Sequence, residues 1–173
     1  MENHELITLK LAYSIDDLSQ TKWNKLMFFI DSAAICLNDQ QLTNFTYIKM
    51  PYGPVPENYR SIINEMKAKN IINVSTNLDI SDAVRIIKPA MDLTYIDQVN
   101  QMLDTLDKEF TIIDRIINSF KNWSAVELSN FSHMLNSWIE PNLYQKINLD
   151  SMKDDQYLKQ NFQLGNFGKI LLS

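Results

Sequence analysis

The chain has a single cysteine, Cys36, so it can form neither an intrachain disulfide nor a cysteine-rich metal site, and a reducing cytoplasm suits it best. Its longest apolar run, Leu26 to Ile30, falls far short of the roughly 18 to 20 residues a membrane span needs, and no charged-then-apolar leader opens it. A soluble, unprocessed, cytoplasmic protein with no membrane partner is therefore expected. Three glycines in 173 residues leave little room for flexible linkers, and none lies in a phosphate-cradling loop. Histidines are equally scarce. His4 falls in a terminal segment expected to fray, which leaves His133 as the one candidate catalytic or ligand histidine, and one histidine makes no metal site. With 16 basic against 21 acidic side chains the net charge is -5, which argues against nucleic acid as a partner.

What the chain does have is 45% hydrophobic residues, enough at this length for one domain with a continuous core. A first helix is read at Leu6 to Ile15. A second follows, because Trp23, Leu26, Met27, Ile30, Ala33, Ala34 and Leu37 share one helical face, with Ser19 or Thr21 as cap and Asn38-Asp39 as stop. Residues 44–50 read as a short strand. They lead into "KMPYGPVPENYR", a stiff corner that holds three of the five prolines, with Pro56 at the first position of the next helix. Residues 71–76 and 83–88 form a hairpin. From Ile96 to Phe120 the apolar residues recur at spacings of three and four, predicting one long helix near 94–121, or two nearly collinear ones, at the centre of the core. The same stripe leaves a homo-oligomer open. Ser124 and Glu127 stand at capping-box spacing ahead of a further helix. The expected fold is α+β, predominantly helical: a single domain with two or three short antiparallel strands in a winged-helix-like arrangement on a helical core. Residues 1–140 make that domain, and 141–173 are an extension packed on it or trailing from it.

Catalytic chemistry finds little support. Asp31, Asp97 and Asp107 fall in helical stretches as ordinary solvated residues would, and no ligand pair has metal spacing. Ser129, Ser132 and Ser137 lie on or beside one helix and not on the sharp elbow that exposes a nucleophile. A hydrogen-bonded histidine packed by Trp138 explains His133 better than catalysis does. Trp23 reads as a core indole whose N–H needs one buried acceptor, and Cys36 as a small buried apolar residue. No enzyme activity, cofactor or metal is expected.

Three stretches in order, "KWNKLMFFIDSAAICLN", "YGPVPENYR" and "LSNFSHMLNSWIE", resemble the Panacea domain, also called the SocA-like antitoxin domain, of bacterial and phage toxin-antitoxin systems. That family has a K-L-x-Y-F-type helix, a Y-G-P-V-x-x-x-Y corner and an L-S-x-x-S-H element followed by tryptophan. Lys25, Leu26, Phe28 and Phe29 match the first; Tyr52, Gly53, Pro54, Val55 and Tyr59 the second; Leu128, Ser129, His133 and Trp138 the third. Phe28 stands where tyrosine is common, and Met50-Pro51 where an alanine-tryptophan pair is common. The resemblance implies an antitoxin that neutralises a cognate protein toxin by direct binding, without a cofactor, with these motif residues serving the fold or touching the partner. The competing reading is a winged-helix-like DNA-binding regulator. A small enzyme using His133 comes third.

Overall fold

The computed structural model describes residues 1–77, 84–106 and 111–163. Helix α1 (Asn3–Ser14) begins with a capping box between Glu2 and Glu5, and His4 lies against Phe45 with ring centroids 5.1 Å apart. The expected fraying of His4 is thus corrected: the cap and the aromatic contact hold the segment. Helix α2 (Gln20–Asn38) starts at Ser19, whose hydroxyl accepts from the Lys22 N–H, and stops at Asp39 in the left-handed conformation. Every residue from Lys22 to Cys36 is buried, which is the mark of a helix surrounded on all sides. The Trp23 indole N–H finds its acceptor in Thr8 Oγ1 at 2.9 Å, and Cys36 is buried.

The proline corner is half of a hairpin. Strand β1 (Tyr47–Met50) pairs antiparallel with β2 (Gly53–Pro56) through a Pro51-Tyr52 turn. Pro54 and Pro56 lack an N–H, so β2 suits an edge and not a strand interior, and it packs between α2 and a later helix. Pro56 ends β2, and the next helix, α3 (Tyr59–Ala68), opens only after Asn58 in the left-handed conformation. Pro56 at a first helical position is accordingly corrected. The other edge of β1 takes residues further along the chain: Lys49 N–H donates to Gln145 O at 2.9 Å, Tyr144 N–H to Lys49 O at 2.7 Å and Ile147 N–H to Tyr47 O at 2.8 Å. Strands β3 (Ile72–Asn77) and β4 (Val84–Pro89) form the second antiparallel pair, from Ile72↔Pro89 to Asn77↔Val84, and β4 bridges to the start of α2 at Ser19.

Of the two readings for residues near 94–121, one long helix or two, the described residues show two, α4 (Ile96–Asp104) and α5 (Thr111–Phe120). The first ends because Thr105 Oγ1 donates to Met102 O and Leu106 N–H to Leu103 O, a tightened last turn. Phe110, part of the expected stripe, lies outside the described residues. The rest of the stripe turns inward, with Val99, Leu103, Ile113, Ile117 and Phe120 buried. The centre of the core is α2, not this segment. Helix α6 (Ala125–Ser132) has the expected capping box between Ser124 and Glu127, and α7 (Asn136–Ile139) follows. A 3₁₀ segment, Leu149–Asp154, and α8 (Gln156–Gln163) pack on α2 and contribute Leu149, Met152 and Leu158 to the core. Of the expected extension 141–173, residues 164–173 lie outside the described residues. The whole is α+β and predominantly helical, with two small antiparallel sheets.

Candidate functional site

Gly53 is where the three motif stretches meet. Its φ of +99° is a conformation that side chains resist. A Cβ built there would lie 2.5 Å from Ser132 Oγ on α6 and 2.7 Å from Lys25 Cε on α2. The hairpin therefore rests directly on two helices. Lys25 is 1% exposed, and its ammonium donates to Pro54 O at 3.0 Å. Among the described residues it meets no carboxylate. Burial drops its pKa from 10.5 to about 7. Ser132 is satisfied locally, its hydroxyl donating to Ser129 O at 2.7 Å.

Beside this contact stands a second layer. The His133 ring stacks on Trp138 with centroids 3.9 Å apart and planes 18° from parallel, and Lys49 Nζ lies 4.1 Å from the Trp138 centroid. Lys49 also donates to Pro141 O at 2.8 Å and Ile139 O at 3.3 Å, which ties β1 to the chain after α7. Burial lowers the pKa of His133, and the Lys25 and Lys49 charges push it the same way. Three basic groups thus crowd one another, and none bonds a carboxylate among the described residues. His133 Nε2, Trp138 Nε1 and Ser137 Oγ are buried without a hydrogen-bond partner there. In place of the expected hydrogen bonding, His133 Nε2 has no partner among the described residues, and the ring stacks on Trp138.

The other motif residues have separate posts. Leu26 and Phe29 are fully buried, Phe29 lying 5.1 Å from Phe120 and 5.3 Å from Phe131 between centroids. Val55 and Tyr59 are half-buried. Tyr52 is exposed, with 79% of its surface open to solvent. The site therefore joins Lys25, Gly53, Pro54, His133 and Trp138, adding Lys49 and Ser132.

Asp31 requires the largest correction. It is completely buried, because Gln41 Nε2, the Leu42 and Thr43 N–H groups, Thr43 Oγ1 and Tyr47 OH all donate to it. Burial pushes its carboxyl above the usual range, against these donors, which favour the ionised form. Asp97 is exposed as expected, and Asp107 lies outside the described residues. Two lysines on α2 are also buried: Lys25, and Lys22, which is paired with Asp17 at 2.7 Å. Their sequence signal was charge inside an otherwise apolar helix. No three His, Cys, Asp or Glu side chains cluster as metal ligands among the described residues.

A family model for the antitoxin SocA-like, Panacea domain, matches residues 23–139, from the start of α2 to the end of α7. The chain belongs to this family. Every motif residue of the site falls inside the matched span, so the Gly53 contact joins the first, second and third motifs of this Panacea domain. No curated protein and no solved structure matches the chain.

The buried lysine makes stability depend on pH. Because the Lys25 pKa falls on folding, the unfolded chain binds more protons between about pH 7 and 10.5. Stability is then full above the unfolded pKa and is lost as pH falls through that window. The unfolding free energy from urea titrations should rise between pH 7 and pH 9, by roughly 1 kcal/mol per pH unit, and Lys25→Met should flatten the rise. Equal slopes in both proteins would contradict the assignment.

Proposed function

We propose that this Panacea domain neutralises a protein toxin in the cytoplasm by binding it directly, through the surface around the β1-β2 turn. The observation behind this reading is a set of exposed apolar side chains on backbone that the motif cluster holds rigid. Tyr52 is 79% exposed, Tyr144 66% and Ile139 55%, with Leu143 and Met134 nearly half exposed. Tyr52 precedes Gly53, Met134 follows His133, Lys49 bonds the Ile139 carbonyl, and Tyr144 N–H donates to Lys49 O. Such aromatic and aliphatic side chains on a preformed support lose little entropy on binding. The buried Lys25–Gly53–Ser132 contact gives the surface its shape.

An enzyme reading finds no such support, since Lys25 is sealed under Gly53 and His133 bonds no hydroxyl among the described residues. The DNA-binding reading loses a cation, because Lys69 at the end of α3 is held by Glu5 at 2.6 Å. That helix retains Arg60 and Lys67 against Glu65, with Glu57 just ahead of it, a weak surface for a duplex. A gel shift on the cognate promoter should accordingly show no complex at physiological salt.

The test is co-expression with the toxin encoded beside this gene. Tyr52→Ala with Tyr144→Ala should abolish rescue while leaving the melting temperature within about 2 °C, since both side chains are exposed. Undiminished rescue by a folded double variant would refute direct binding through this face.

A further inference from the structure

A cleft of about 530 Å³ opens where the starts of α2, α3, β4 and α6 converge, on elements separate from the exposed apolar face. Its walls include Ser19, Thr21, Tyr59, Arg60 and Arg85, and no acidic side chain lines it among the described residues. Arg60 and Arg85 are exposed, and neither meets a carboxylate among the described residues. Arg60 Nε donates to Tyr59 OH at 3.2 Å, which fixes the guanidinium beside the phenol and leaves its terminal nitrogens unengaged there. Among the described residues, acids close in sequence to the cleft walls have partners of their own: Asp17 has Lys22, Asp16 has Lys88, Glu57 has Lys146, and Glu127 caps at Ser124. The described walls of the cleft are therefore locally cationic on an acidic chain.

We infer that this cleft binds a phosphate group, gripped by Arg60 from α3 and Arg85 from β4. Two guanidinium forks present more donors than a two-oxygen carboxylate can accept, whereas a phosphate has enough oxygens for both. Ser19 adds a hydroxyl: its oxygen accepts from Lys22 N–H, which leaves its O–H to donate. The start of the 19-residue α2 lies in the same wall and adds favourable potential. The volume exceeds what a bare ion fills and lies in the range of clefts for small organic ligands, roughly 300 to 1,000 Å³. The phosphate can come from an organic phosphate, with Tyr59 beside it, or from the free ion. The inference stands independently of toxin binding.

Calorimetry on the full chain tests it, with inorganic phosphate, adenosine monophosphate, adenosine and succinate as probes. Phosphate and the monophosphate should bind; adenosine and succinate should not. Tighter binding of the monophosphate identifies an organic phosphate as the ligand, and equal affinity identifies the free ion. Arg60→Gln and Arg85→Gln should each weaken binding about tenfold, and the double variant should lose it, with unchanged melting temperatures. No heat with either phosphate, succinate binding as tightly, or full affinity in the double variant would overturn the assignment.

Discussion

Replacing Gly53 by valine should lower the melting temperature by on the order of 10 °C, from a loss of about 4 kcal/mol. Two costs combine. The backbone at φ +99° is strained for any side chain, and a Cβ would collide with Ser132 Oγ and Lys25 Cε, both of which are themselves buried. Lys25 can swing away only by giving up its bond to Pro54 O, which would strand an ammonium in the core. Alanine should cost most of the same, because the first carbon already makes the clash. Ser132→Gly in the Gly53→Ala background should restore part of the loss, as it removes the nearer contact. A thermal scan of the four proteins decides; an unchanged melting temperature in Gly53→Val would defeat the account.

The second large effect is expected at Asp31. Asp31→Ala leaves five donors facing a void and should cost about 3 to 5 kcal/mol. Asp31→Asn keeps the volume but brings its own N–H groups against donors, and should cost about half as much. Because Leu42 and Thr43 donate to this carboxylate through their backbone, their amide protection in hydrogen exchange should fall in both variants. Retained protection with native urea midpoints would show that the loop from Gln41 to Tyr47 is held by something else.

The helices were legible where local chemistry fixes them. Ser19 and the Ser124-Glu127 box act as caps in the predicted places, and Asp39 ends α2 as read. The hairpin of β3 and β4 follows from its apolar alternation. What escaped reading depended on long-range contacts. Whether Asp31 and Lys25 face solvent or core cannot be told from helical spacing, because α2 is covered on every side by segments distant in sequence. The end of α4 rests on Thr105 Oγ1 and Leu106 N–H turning back on their own helix, so apolar spacing alone could not choose between one helix and two. The proline corner was recognisable as rigid, but its form as a strand depended on β1 pairing. Of the site, Gly53 and Lys25 were found through their motifs, whereas Lys49 was missed because it acts through residues 139 and 141, some ninety positions away.

Strand β1 is flanked on one side by its own hairpin and on the other by residues 144–147. During synthesis, the hairpin can close as soon as it leaves the ribosome, whereas the opposite side of β1 waits until nearly a hundred more residues have been translated. The surroundings of β1 are thus completed late, once residues 144–147 have emerged, and until then the edge of β1 stays open to whatever strand reaches it first.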